Sequence, residues 1–277
     1  GINLNGSGGQ GGTLDNQGTI LQSSTPYYMY DNVSIANEGV YDFTTDTFIG
    51  YGNDTPEFNN TSAGLFEKTG GSGESYTDVA FNNQGGTLYA ATGRLDPGPG
   101  TNTGGIYNAD AGAVVDVQGF LSGTFTGSGL GNVELGGNIL INPAGATFNF
   151  GKDYFQWISG HIDLDGHQLT NMGWMTLALS TTWGIYGNTG IGINGSGGQG
   201  GTLDNKGTIV QMAGSSPYVY DNIAIDNEGT YDFAEDGAIN YGNDTPVIVN
   251  TGLFEKTGGT GVSSTSVGFN NQGGTVY

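Results

Sequence analysis

The sequence predicts an all-β chain wound as a right-handed parallel β-helix, a β-solenoid of roughly 11–13 coils of about 21–25 residues each with no significant helix. Three observations lead there: an extreme glycine content, self-similarity at two length scales, and short runs of alternating apolar residues. Glycine supplies 55 of 277 residues, far above the usual level of about 7%. Apolar residues make up 35% of the chain and aromatics 11%, too much for a disordered chain, and their even spread suits a thin core repeated many times.

The longer period is visible first. Residues 6–18, GSGGQGGTLDNQG, match 195–207 at 12 of 13 positions, and residues 64–89 match 252–277 at 20 of 26. The long unit is therefore about 189 residues. The chain divides into a first unit over 1–190 and a partial second copy over 191–277, continuous with the first. Neither end reads as a cap or a signal peptide, so an internal or processed piece is expected.

Within the long unit an apolar residue repeatedly stands two places before an Asn, with a Gly soon after. The positions are Asn16, Asn37, Asn60, Asn83, Asn108, Asn142, Asn171, Asn205, Asn227, Asn250 and Asn271. Their spacing runs from 21 to 34 residues, bracketing one solenoid turn. An Asn side chain both donates and accepts, so equivalent residues about 4.8 Å apart on successive coils can bond to one another and form a ladder. The Gly provides either a positive φ or close backbone approach where the coil turns a corner. In most cases the residue two after the Gly is apolar again, as at Ile20, Tyr41, Phe66, Leu88, Ile209, Tyr231 and Phe254. Asn142 departs, with Thr147 in that place and Phe148 one later. A β-sandwich is the alternative architecture, but sandwiches lack a stacked Asn at fixed phase.

Twenty-six acidic against five basic residues give a net charge of −21, which excludes nucleic acid as a partner and opposes anionic membranes. No apolar run is long enough to insert in a membrane. With no Cys there is neither a disulfide nor a thiolate site.

The phrases FNNQGGTLY, GLFEKTGGSGES, LDNKGTIVQ and the stretch from Ala146 to Leu177 resemble Asn/Gly-rich repeats of large bacterial secreted surface proteins of the filamentous haemagglutinin-like and autotransporter adhesin type. The resemblance spans essentially the whole chain. It implies a β-helix exposed outside the cell, at the cell surface or secreted, in which catalysis is usually absent.

Candidate chemistry is sparse. His161, Asp163, Asp165 and His167 alternate with Ile162, Leu164 and Gly166, so the polar set lines one strand face. Residues two apart are about 6.5–7 Å apart, so the four do not converge on one ion without a bend. Acids recur between copies at Asp15/Asp204, Asp31/Asp221, Asp42/Asp232, Asp46/Asp236 and Asp54/Asp244. They read as turn residues, with calcium the one ion they could recruit and no other cofactor expected. Lys68 and Lys256 fall on the inward side and call for carboxylate partners. Tyr27, Tyr28 and Tyr30, echoed by Tyr218 and Tyr220, are candidate surface-binding aromatics. No catalytic residue is assigned: the lone Arg94 stands beside one acid, Asp96, in a Gly/Pro-rich loop.

Three functions follow in order: a structural segment of an extracellular fibre that stacks on other copies or further repeats, an adhesin stalk or module binding glycans or another surface, and a polysaccharide-active enzyme. Aromatic rings aligned outward on successive coils would favour the second. Converging carboxylates in a groove would favour the third.

Overall fold

A computed structural model describes residues 2–178, 191–195 and 198–277. The chain is an all-β parallel β-solenoid of about 12 coils, with no helix among the described residues. Its residues pack as two compact units, Gly1–Val133 and Glu134–Tyr277.

In the first unit, each coil contributes one strand to each of three parallel rows. One row stacks Gly12–Asn16, Val33–Asn37, Glu57–Asn60 and Ala80–Asn83. Its register places Leu14, Ile35, Phe58 and Phe81 over one another, and likewise Asn16, Asn37, Asn60 and Asn83. After the glycine corner comes a second row, Thr19–Gln22, Val40–Phe43, Leu65–Lys68, Thr87–Ala90 and Gly105–Ala109, which stacks Ile20, Tyr41, Phe66, Leu88 and Tyr107. The third row runs from Ile2–Leu4 through Tyr27–Met29, Phe48–Tyr51, Glu74–Thr77 and Arg94–Asp96 to Val114–Asp116. Alternation sends every second side chain inward, so Ile35, Phe58, Phe66, Phe81 and Leu88 are fully buried. Their rings interlock: Phe58 stacks on Phe81 at 5.4 Å, and Phe66 lies 4.7 Å from Phe81. One coil buries only a few such side chains, each contributing roughly 1.5–3 kcal/mol, so a coil is stable only against its neighbours.

The second unit repeats the scheme. Gln168–Asn171, Gly201–Asn205, Ile223–Asn227, Val247–Asn250 and Gly268–Asn271 align their Asn residues in register. Residues 179–190, the end of the long unit predicted over 1–190, lie outside the described residues.

Amide ladders join the coils. In the first unit Nδ2 of Asn16 donates to Oδ1 of Asn37 at 2.6 Å, Asn37 to Asn60 at 2.8 Å, and Asn60 to Asn83 at 2.9 Å. In the second, Asn171, Asn205, Asn227, Asn250 and Asn271 continue the same pattern at 2.7–2.8 Å. The second Nδ2 hydrogen is used as well: Asn37 donates it to the Leu65 carbonyl and Asn227 to the Leu253 carbonyl, at 3.1 and 2.9 Å. Each rung thereby pins the corner of the next coil.

Two of the sequence-predicted rungs lie elsewhere. Asn108 sits in Gly105–Ala109, where Tyr107 and Ala109 point inward, and its Oδ1 accepts from Ser128. The apolar residue two before it, Ile106, is exposed, and Asn108 pairs with Tyr89 in the second row rather than with the Asn residues of the first. The position following Asn83 belongs to Asn102, which is 2% exposed and whose Oδ1 takes the Asn83 backbone N–H at 3.1 Å. Asn142 is half-buried in the long strand Ile139–Phe150, and Phe148 is the residue that faces Asn171. Phe148 carries no amide, and the Oδ1 of Asn171 is buried without a hydrogen-bond partner.

Four corner glycines serve close approach rather than left-handed backbone. A Cβ on Gly39, Gly207, Gly229 or Gly252 would lie 2.0–2.1 Å from a carbonyl oxygen of the preceding coil, and none of the four has a positive φ.

Two outcomes follow. Asn227→Ala deprives Asn205 of an acceptor and Asn250 of a donor, and should cost about 2–4 kcal/mol by denaturant unfolding; Asn108→Ala and the exposed terminal rung Asn271→Ala should each cost less than about 1 kcal/mol. Gly229→Ala should cost at least about 2–3 kcal/mol through the backbone clash, read as a lowered thermal midpoint.

Candidate binding surface

Outward residues are the ones free to meet a ligand, and the predicted tyrosines divide among several environments. Tyr27 is half-buried, and burial pushes its hydroxyl above the usual tyrosine range. Tyr28 lies edge-on to Phe48 at 5.8 Å, and Phe48 stacks on Tyr76 at 5.0 Å with planes 7° from parallel. Aromatic rings therefore line three successive coils of the first unit. Stacked on one another, Phe48 and Tyr76 spend faces on each other, whereas a sugar needs an open ring face. Tyr30 folds over Gly52, where a Cβ would meet its ring at 2.2 Å, and Tyr220 covers Gly242 in the same way. Tyr218 is exposed and stacks on Tyr220 at 6.1 Å, with His161 edge-on to Tyr220 at 6.4 Å.

Sequence reasoning missed Phe48, Tyr76 and the half-exposed Tyr51 and Tyr241. Phe48 and Tyr76 leave no repeat signal, because the second copy has Ala238 and Ser264 at those places. Tyr51 did have one: YGNDTP over 51–56 recurs unchanged over 241–246.

Most of the repeated acids are committed to holding turns. Asp42 accepts from the N–H and hydroxyl of Thr69, and Asp232 from those of Thr257. Asp31 and Asn53 bond reciprocally, as do Asp221 and Asn243. Asp204 accepts from Gln168 and Lys206, and Asp15 from Gln17. Asp46 takes the Lys68 ammonium at 2.7 Å and the Gly73 N–H at 3.0 Å; Lys68 itself is fully buried and also donates to the Gly70 carbonyl. Asp236 and Lys256 repeat the pair at 2.9 Å with the ammonium more exposed. Hydrogen bonding to the lysine holds Asp46 and Asp236 below the usual carboxylate range.

His161, Asp163, Asp165 and His167 do not gather. Ile162 and Leu164 are buried between them, His161 packs on Tyr220, and Asp165 occupies a turn with φ 46°. Among the described residues, the one trio of potential metal ligands within 4.8 Å is Glu74, Asp96 and Asp116, from successive coils of one row. The sequence placed only Asp96 beside Arg94; coiling adds the other two. Arg94 pairs with Asp116, and the Gln118 amide donates to Asp96. Burial pushes the carboxyls of Glu74 and Asp96 up.

No protein-family model, curated protein or solved structure matches the chain.

The carboxyl shifts fix a pH dependence. Burial raises Glu67, Glu74, Asp96, Asp163 and Asp226, so the folded state binds these protons more tightly and gains stability as pH falls through their folded values. Asp46 and Asp236 act oppositely: their contribution is present above the unfolded value of about 4 and is lost as pH falls through their depressed values. The melting temperature should therefore be higher near pH 4.5–5 than at about pH 7.5, and should fall again below about pH 3.5.

Proposed function

We propose that the chain is a structural, non-catalytic segment of an extracellular bacterial surface fibre built from stacked solenoid coils. The carrying observation is how the polar groups are used. Buried amides of Asn37, Asn60, Asn205 and Asn227 bond to the coils on either side of them. The buried Gln22 and Gln211 each take a tyrosine hydroxyl from the next coil, Tyr41 and Tyr231, at 2.6 and 2.8 Å. Such a chain gains its stability along one axis, as a load-bearing stalk requires. The resemblance to secreted surface repeats supports an extracellular location, and the net charge of −21 keeps neighbouring fibres from collapsing on one another.

Catalysis is not proposed. The trio around Arg94 is the arrangement an enzyme would use, but its guanidinium is paired with Asp116. Glycan binding by an adhesin module is the second function, favoured by Tyr51, whose ring is half-exposed and has no ring partner among the described residues.

Electron microscopy of native material tests the proposal. Continuous thin filaments with an axial rise of about 4.8 Å per coil and a longer repeat set by the unit of about 189 residues are expected. Discrete rods ending in a separate head would replace the fibre with an adhesin stalk.

A further inference from the structure

A shallow groove of about 590 Å3 opens in the first unit, lined by Asn32, Ser34, Tyr51, Asp54, Glu57 and Asp78 among others. Its residues come from three successive coils. Tyr51 is 51% exposed, and among the described residues its ring has no ring partner, unlike Tyr28, Phe48 and Tyr76. Three carboxylates line the groove with no basic side chain among them. They are not one of the sets within 4.8 Å of one another, so they stand too far apart to chelate a bare ion as a trio. Three carboxylates and an exposed tyrosine ring in one groove match an organic cation, which pairs with the carboxylates and rests on the ring face, where cation–π attraction adds to charge pairing.

The second copy supplies an internal contrast. It keeps Asn222, Tyr241, Asp244, Thr245 and Pro246 but has Val247 in place of Glu57 and Ser266 in place of Asp78. There the Tyr241 hydroxyl donates to the Asp244 carbonyl at 3.2 Å and the Tyr241 N–H to the Ser266 hydroxyl at 2.8 Å. The framework that shapes the corner is thus held in both copies, while two of the three acids and the open tyrosine hydroxyl belong to the first alone. Glu57 keeps one oxygen on the Asn82 amide at 3.0 Å, which fixes its direction.

We propose that the groove beside Tyr51 binds an organic ammonium group of the kind carried by amino sugars, with Asp54, Glu57 and Asp78 as counter-charges and Tyr51 as the platform. The site is independent of the fibre assignment, since a stalk and an adhesin module would present it equally.

Calorimetric titration of the full chain with three probes tests it: a deacetylated glucosamine oligomer, its N-acetylated counterpart, and spermidine. The deacetylated oligomer should bind at least about tenfold more tightly than the acetylated one, which keeps the sugar and removes the charge. Glu57→Val with Asp78→Ser, which installs the residues of the second copy, should weaken binding at least about tenfold. Asp15→Asn with Glu38→Gln removes the same charge from exposed positions outside the groove and should leave binding unchanged. Spermidine bound and lost in the groove variant identifies the ammonium as sufficient; no spermidine binding assigns a necessary share to the sugar on Tyr51. Equal binding of the acetylated oligomer, equal loss in the control variant, or no binding of any oligomer overturns the proposal.

Discussion

The structure depends on one constraint: a solenoid coil turns its corner by burying an amide, and that amide must be satisfied by the coils above and below. Asn meets this because its side chain carries a donor and an acceptor on a stem short enough to stay in register over each strand spacing. The ladder has a direction, each Nδ2 pointing toward the Oδ1 of the next coil. An Asp in the same place would lack the donor, and an apolar residue would lack both groups. The junction of Phe148 with Asn171 shows the second case. The core is well filled there, with Phe148 lying 4.9 Å from Phe155, yet the Asn171 oxygen is orphaned. Such a buried group costs about 1–3 kcal/mol, so the ladder's first rung carries a penalty that its interior rungs avoid.

The glycine content follows from the same geometry. Once the amide of one coil reaches the corner carbonyl of the next, the intervening backbone approaches so closely that no Cβ fits, and Gly207, Gly229 and Gly252 stand over the carbonyls of Gly173, Gly207 and Gly229 in turn. Glycine at one coil therefore selects glycine at the next. The outer corner solves its turn differently, with Asp31, Asn32 and Asp54 in left-handed backbone, the Asn32 amide donating to the Gly9 carbonyl and accepting from the Thr55 hydroxyl. Asp221, Asn222 and Asp244 repeat it down to the bonds with Gly198 and Thr245. This accounts for the repetition of the YGNDTP segment: Asn53, Asp54 and Thr55 are specified by the left-handed backbone at Asp54 and by hydrogen bonds to Asp31 and Asn32 of the neighbouring coil, and Asn243, Asp244 and Thr245 repeat them.

The fold was legible because the pattern of an apolar residue, an Asn and a Gly has a physical cause at each position. Its phase was less so. Asn102 occupies the ladder position without an apolar residue two before it, since Gly100 stands there against the Phe81 carbonyl, whereas Asn108 has Ile106 two before it and lies in another row. Asn142 failed for another reason: the strand Ile139–Phe150 runs on without the usual glycine corner, so the residue over Asn171 came six places later. Sites formed between coils were hidden more deeply. Glu74, Asp96 and Asp116 are about one turn apart in sequence, and the Tyr51 groove joins residues from three coils. No linear motif records either, because adjacency across coils depends on the length of every intervening loop.

This separates two kinds of position. Inward residues and corners answer to their neighbours along the axis, and their chemistry is used up in stacking. Outward residues between the corners answer to nothing in the ladder, so they can change at little cost to the fold. Glu57 and Val247 occupy equivalent strand positions within the same register of Asn rungs, as do Asp78 and Ser266 beside the same corner. The two copies therefore share a frame and differ in the outward chemistry mounted on it. The Tyr51 groove is where they do so: the frame fixes the ring and one acid, and divergence supplies the remaining charge.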